Sequence, residues 1–199
     1  RHTAAIAISA LRVYALCVHN NAAKKKTTTS AGKPRRRSKP GARRKIVFRR
    51  AHLVDALQIC ALVNDFAAEK ALLPRTTEQI ALELDNYVVA VDAGGRVLAC
   101  AAIDEYSPSV VEIASVAVDR TEQGRGLGSR VVAVAELVAR QRGFAEVFAM
   151  SLAARFFVSM GYEPGDLGGY PEKLRRYEHL SAAGVEIVPK PCFRKRLAP

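Results

Sequence analysis

The sequence predicts an α/β protein of the α+β type, in which helices flank a mixed central sheet and a disordered basic arm precedes the folded part. Short apolar runs of strand length alternate with longer segments whose apolar residues recur at helical spacing. A glycine-rich turn joins the longest strand to an amphipathic helix. Residues 1–45 are marked by Lys, Arg, Pro and Gly, a composition that buries too little apolar surface to fold.

Length and charge agree with this division. The 199 residues leave room for one domain of roughly 150 residues, predicted over 46–199, and for the arm, 1–45. The net charge of +12 belongs to the arm, because 15 of the 31 Lys and Arg residues precede Asp55, the first acidic residue. The sequence contains no run of about 18 apolar residues, so no membrane partner is expected. The four cysteines are scattered without a C-x-x-C pair, which predicts reduced thiols, no metal site and a cytoplasmic protein.

The basic arm has three open interpretations. It contains Arg and Ala and no acidic residue, which is typical of an organellar import segment. Its charge also suits a nucleic-acid or ribosome contact, although no aromatic residues alternate with the bases to stack on nucleotides. The third interpretation is an extension without a selected role.

The folded part begins with a strand and two helices. A short strand is predicted over 46–48, and apolar residues over 53–64 recur at helical spacing. A second helix begins near Thr76, where Thr76 or Thr77 can accept hydrogen bonds from the first free backbone N–H groups. Pro74 stops the first helix from running into the second.

A three-stranded meander follows, predicted over 87–92, 96–103 and 110–119, with two glycines in its first turn. After the glycine-rich turn, apolar residues from Leu127 to Val138 mark one helical face, and Gly143 ends that helix. The remaining prediction is a buried strand over 145–150, a helix over 152–160 closed by Gly161, and irregular strand-like material to Arg196.

The glycine-rich turn predicts a phosphate site. Glycines let the backbone approach phosphate oxygens, and the free N–H groups of a helix start attract them, with Arg125 and Arg130 adding positive charge. The turn lacks the Gly-Lys-Ser/Thr ending of a P-loop and the third glycine of the dinucleotide fingerprint. A plainer alternative is that the glycines only cap the helix.

The pattern Gln123-x-x-Gly126-x-Gly128 resembles the pyrophosphate loop of GNAT-superfamily N-acetyltransferases, and the elements around it follow that family's order as far as Gly161-Tyr162. The resemblance spans about residues 46–165. It implies the GNAT fold, acetyl-CoA as co-substrate, no metal, and acetyl transfer to an amine. The residues expected to contact acetyl-CoA are Val116, Ala117, Val118, Gln123, Gly124, Arg125, Gly126, Leu127, Gly128 and Ser129.

Residues 72–76, 87–103, 111–118 and 147–151 look most like the acetyltransferase domain of N-acetylglutamate synthases. This implies L-glutamate as acceptor and a role in arginine biosynthesis, with Arg75 as the candidate partner of a substrate carboxylate. The sequence departs from that family near its C-terminus, where His179-Leu180-Ser181 stands for an Arg-Arg-Ser stretch. The 199 residues also lack the amino-acid kinase domain of the long synthases, so a short stand-alone form is expected.

Glu112 is the candidate general base, since many GNAT enzymes have a catalytic glutamate at this point of the central strand. The alternative is a polar strand residue that faces solvent. The backbone N–H of Val116 or Val118 is expected to polarise the thioester carbonyl. Phe157 stands where relatives supply a tyrosine to protonate the thiolate. The CoA thiolate could then be protonated by water or by another tyrosine, for which the candidates are Tyr162, Tyr170 and Tyr177.

Three functions stay open at this stage. The first is acetylation of a small-molecule amine, the second is acetylation of a protein amine, and the third is a non-catalytic acyl-CoA-binding module whose arm binds nucleic acid. The expected partner is a small-molecule amine, with nucleic acid only through the arm and a homodimer as an alternative to a monomer.

Overall fold

The computed structural model describes residues 45–197, so the predicted arm, 1–45, lies outside the described residues except for Lys45. The strands within this range are β1 Val47–Arg50, β2 Tyr87–Val91, β3 Val97–Ser107, β4 Val110–Val118, β5 Glu146–Met150, β6 Glu163–Gly165 and β7 Cys192–Arg196. They form a seven-stranded sheet in the order β1-β2-β3-β4-β5-β7-β6. Neighbouring strands are antiparallel except β4 and β5, which are parallel. A mixed sheet is therefore confirmed.

The helices of the described range are α1 Ala56–Ala67, α2 Thr77–Leu82, α3 Leu127–Gln141, α4 Ala154–Ser159 and α5 Pro171–Ala182. Helices lie on both faces of the sheet. Because side chains alternate along a strand, Val88 packs into one apolar cluster with Val131 of α3, and Val89 into another with Ile59 of α1. Two buried layers thus hold the central strands in place, and the predicted fold class is confirmed.

The predicted capping of α2 is made by Thr76. Its Oγ1 accepts from the backbone N–H of Gln79 (3.2 Å), and the Gln79 side chain accepts from the Thr76 N–H (2.9 Å). This reciprocal capping box fixes where α2 begins, and with it the residue that precedes it, Arg75. The first helix begins later than its apolar spacing predicts, because a 3-10 turn over Leu53–Asp55 precedes α1.

The prediction of irregular strand-like material after Gly161 is wrong for residues 171–182, which form α5. Pro171 occupies the first turn, where its missing N–H costs nothing. The helix buries Lys173 instead of an apolar stripe, so hydrophobic periodicity does not reveal it. Strands β6 and β7 agree with the strand-like material that the sequence predicts for the end of the chain. In addition, β3 runs four residues beyond its predicted end and carries Asp104 and Tyr106 toward α5.

Candidate active site

The glycine-rich loop leads from β4 into α3, as the sequence predicts. Gly124 and Gly126 have φ angles of 74° and 76°, in the left-handed region that favours glycine. Gln123 Nε2 donates to the carbonyl of Val118 (3.3 Å), which ties the loop to the end of β4. The first N–H groups of α3 are free of helical partners, as at any helix start. The loop therefore presents backbone donors and a positive dipole end, which suits a pyrophosphate.

The two arginines near the loop have separate surroundings. Arg125 pairs with Glu122, and half of the Arg125 side chain is exposed. The guanidinium of Arg130 lies 4.1 Å from the ring centroid of Phe48, a cation–π contact. Both arginines are exposed, so each stays accessible to an anionic group at the loop.

The strands β4 and β5 separate after one register pair, Glu112 with Phe148. The N–H of Asp119 donates to Leu98 O (2.8 Å) on the β3 side. Because backbone N–H groups alternate along a strand, we expect that of Val118 to point away from β3, toward the gap beside β5. A β-bulge with Ser115 at φ 49° opens β4 further at this point. The strand register therefore supports the role predicted for the Val118 N–H, and the roles of both N–H groups stay predictions.

Glu112 is buried, with 3% of its side chain exposed, so the alternative of a solvent-facing strand residue is wrong. Its Oε2 accepts from Lys173 Nζ at 2.7 Å and from the Tyr106 hydroxyl at 2.8 Å. Sequence reasoning missed both partners. Lys173 belongs to the unpredicted helix α5, and an isolated tyrosine on a strand carries no motif.

Arg75 is also buried, and its guanidinium is already engaged. Its Nη2 donates to Asp104 Oδ2 (2.7 Å), and its Nη1 to Glu83 (3.4 Å). Burial alone would lower the pKa of Arg75, but Asp104 and Glu83 raise it, so the cation persists. A direct bond to a substrate carboxylate stays a prediction.

A second arginine shares the same carboxylate. Arg176 of α5 donates through Nη1 to Asp104 Oδ2 (3.1 Å) and to the Tyr106 hydroxyl (3.4 Å). With 30% of its side chain exposed, Arg176 is more accessible than Arg75. Hydrogen bonds therefore run without a break from Arg75 through Asp104, Arg176 and Tyr106 to Glu112.

A cavity of about 380 Å³ opens beside this network. Its walls come from three regions: the segment that follows α1, Tyr177 of α5, and the segment between α5 and β7. Tyr177 and Lys190 line it, and burial together with Lys173 lowers the pKa of Lys190. Lys190 Nζ donates to Ala71 O (2.8 Å), and Lys70 pairs with Glu186 (2.7 Å). Both contacts link the segment after α1 to the segment that leads to β7. Tyr177, whose ring lies against the Lys173 ammonium, links this cavity to the Glu112 network.

The three candidate tyrosines lie in different places. Tyr162 packs against Phe157, and burial together with the nearby Glu136 carboxylate raises the pKa of its hydroxyl. Tyr170 stacks on Phe148 with its centroid at 4.0 Å and donates to Glu146 (3.0 Å). Tyr177 lines the cavity, and Lys173 Nζ lies 4.6 Å from its ring centroid. Burial and the charge of Glu112 raise the pKa of Tyr177, so its hydroxyl keeps its proton at neutral pH. Among the three, Tyr177 alone borders both the cavity and the Glu112 network.

Within residues 45–197, no helix is both long and apolar enough to cross a membrane. The same range holds no cluster of three His, Cys, Asp or Glu side chains that could bind a metal ion.

Residues 54–162 match the Acetyltransferase (GNAT) family. An uncharacterized N-acetyltransferase of Chlorobaculum tepidum is 35% identical over 128 residues, which are 64% of this chain and 82% of that protein. An amino-acid acetyltransferase of Pasteurella multocida is 24% identical over 131 residues, 65% of this chain and 30% of the relative. The chain thus spans about a third of the length of such amino-acid acetyltransferases.

Two solved structures resemble the fold. N-acetylglutamate synthase from Neisseria gonorrhoeae, complexed with coenzyme A and N-acetyl-glutamate, superposes with a TM-score of 0.68 at 25% identity. The match covers 78% of this chain and 36% of that one. A Mycobacterium tuberculosis protein in complex with CoA gives a TM-score of 0.66 at 25% identity, covering 76% of this chain and 99% of that one.

Proposed function

Because the chain belongs to the acetyltransferase (GNAT) family, we propose that it transfers the acetyl group of acetyl-CoA to the amine of an amino acid, with L-glutamate as the first acceptor to test. The position of Glu112 carries this proposal. It is a buried carboxylate at the register pair after which β4 and β5 separate, on the strand that leads into the glycine-rich loop. Residues 46–199 form the proposed catalytic domain.

Acetyl-CoA would lie along the gap between β4 and β5. Its pyrophosphate fits the free N–H groups at the start of α3, where Gly126 has no side chain to obstruct it. The N–H of Val116 or Val118, near the end of β4 beside this gap, would polarise the thioester carbonyl.

The charges around the cavity favour an anionic acceptor. Three cations belong to the buried network and a fourth lines the cavity, and two buried carboxylates partly neutralise them; the cations are Arg75, Arg176, Lys173 and Lys190, and the carboxylates Asp104 and Glu112. Glu83 adds a third, partly exposed carboxylate at the edge of the network. A positive excess in a partly buried site attracts carboxylates. Acetylation of glutamate would connect the enzyme with arginine biosynthesis.

In the proposed reaction, Glu112 takes a proton from the acceptor ammonium, and the freed amine attacks the thioester carbon. A new C–N bond forms, the C–S bond breaks, and the nitrogen loses its second proton to water. The CoA thiolate gains a proton from Tyr177, which water can replenish. Products are the N-acetyl amino acid, CoA thiol and one released proton.

The test is release of CoA thiol from acetyl-CoA by the purified chain, screened over free amino acids and paired with mass detection of the acetylated product. We expect L-glutamate to support release, and Glu112→Gln to lower kcat about 100-fold while acetyl-CoA still binds. Release with protein amines but with no amino acid would refute the proposed acceptor. Binding of acetyl-CoA without transfer to any amine would refute the activity itself.

A further inference from the structure

Lys173 forms a deeply buried ion pair with Glu112. Their side chains are 4% and 3% exposed, and Nζ lies 2.7 Å from Oε2. The Tyr106 hydroxyl binds the same oxygen, and Lys173 also donates to that hydroxyl (3.2 Å). Both donors therefore converge on Oε2, and Oε1 accepts no hydrogen bond from the described residues.

Stability alone does not explain this pair. A buried ion pair costs desolvation energy on both sides, and an apolar pair of similar volume is often at least as stable. Lys173 also lies in the first turn of α5, where the positive end of the helix dipole disfavours a cation. The presence of Lys173 at this position is therefore better explained by its effect on Glu112 than by a contribution to stability.

The position of Lys173 relative to Glu112 is fixed by packing. Tyr170, which immediately precedes α5, stacks on Phe148 with the ring planes 14° apart. Phe148 is the register partner of Glu112 across the parallel strands. The ring of Tyr177, one turn further along α5, covers the lysine ammonium at 4.6 Å. The start of α5 is thus held over the point where β4 and β5 separate.

We infer that Lys173 is a positioning residue, whose ammonium holds the Glu112 carboxylate by Oε2 so that Oε1 is left for the proton of the acceptor ammonium. Tyr106 is its second support. The inference rests on the proposed function, since it assigns a task to the base of that reaction. Charged and titratable groups face Glu112 from four parts of the fold: Tyr106 of β3, Lys173, Arg176 and Tyr177 of α5, Lys190 before β7, and Cys192 of β7.

The test compares Lys173→Met, which keeps the chain length without the charge, with Lys173→Arg, which keeps the charge. The readout is kcat for L-glutamate against pH, with saturating acetyl-CoA. We expect Lys173→Met to lower kcat about tenfold at pH 7 and to move the acid limb of the profile upward by about one pH unit, because a carboxylate without its cation protonates more readily. Lys173→Arg should restore the limb, and KM for acetyl-CoA should not change. In a Glu112→Gln background, Lys173→Met should cost nothing further.

A rise in KM for L-glutamate with an unmoved acid limb would overturn the inference, because Lys173 would then bind the acceptor directly. The inference would also be overturned if Lys173→Met lowered kcat as much in the Glu112→Gln background as it does in the wild-type chain. If Lys173→Met does not fold, Tyr106→Phe should move the limb in the same direction by a smaller amount. If the wild-type chain transfers no acetyl group, the proposed function fails. The inference is then tested by the pH titration of the Glu112 side-chain carbon signal, identified through Glu112→Gln, which Lys173→Met must move upward.

Discussion

Arg75 donates to Oδ2 of Asp104 over 2.7 Å, and both side chains are almost completely buried. Arg176 donates to the same oxygen, and through Tyr106 the network reaches Glu112. The two residues that the sequence marks for substrate binding and catalysis therefore belong to one connected set of hydrogen bonds. A change at Arg75 acts on the fold and on the site together.

The first prediction concerns this double role of Arg75. Arg75→Met should lower the free energy of unfolding by about 2–4 kcal/mol, because it removes one of two cations from a buried carboxylate. Urea denaturation measures the loss. Arg75→Met combined with Asp104→Asn should recover part of it, since the uncompensated charge is gone. Unchanged stability with a raised KM for the acceptor would instead show that Arg75 serves only the substrate.

The second prediction separates two glycines of the loop that begins α3. Gly126→Ala should destabilise the chain by about 1 kcal/mol, because alanine is strained at φ 76°. Gly128→Ala is the matched control. A Cβ at Gly128 would meet Val118 and Phe156 at 3.4 and 3.5 Å, ordinary contact distances, so its stability should stay within about 0.5 kcal/mol. Thermal unfolding without acetyl-CoA measures both. Equal losses in the two variants would contradict the assigned backbone roles.

The sequence predicts the parts of this protein that local chemistry determines. The loop, the cap at Thr76, the meander and α3 each depend on glycine conformation, capping or apolar spacing, which are visible in neighbouring residues. The order of these elements is enough to indicate the family and its co-substrate. Glu112 could be proposed on the same basis, because it has a fixed distance along the strand from the glycine-rich loop.

The environment of Glu112 could not be predicted in this way. Its partner Lys173 lies 61 residues away in sequence, on a helix whose buried side is polar. Tyr106 lies on a strand extension that apolar alternation does not mark. Contacts between charged groups distant in the chain follow from tertiary packing, which overrides local preference. For the same reason, the sequence does not indicate that Asp104 pairs with Arg75.

The third prediction tests the proton donor for the CoA thiolate. Tyr177→Phe should lower kcat about tenfold or more, as expected for loss of a general acid, with KM for acetyl-CoA unchanged. Tyr170→Phe is the matched control, because the Tyr170 hydroxyl is bound to Glu146 and does not border the cavity. Steady-state kinetics with L-glutamate compares them. Equal, small losses in both would indicate that the thiolate leaves without help from either tyrosine.

The fourth prediction uses Asp55, which lies just before α1. Burial raises the pKa of this carboxyl, but hydrogen bonds from the Arg49 side chain and the His52 N–H outweigh it, so the net pKa is lowered. A carboxyl with a lowered folded-state pKa stabilises the fold above its unfolded-state pKa, and this stabilisation is lost as pH falls through the folded-state value.

Asp55→Asn should therefore lower the free energy of unfolding by about 1–3 kcal/mol at pH 7, and the difference from wild type should shrink below about pH 4. Urea denaturation at several pH values measures this. Asp65→Asn is the control, because Asp65 and its partner Arg120 are each about half exposed, and such pairs contribute about 0–1 kcal/mol. A difference for Asp55→Asn that stays constant from pH 7 to pH 3 would show that its hydrogen bonds matter and its charge does not.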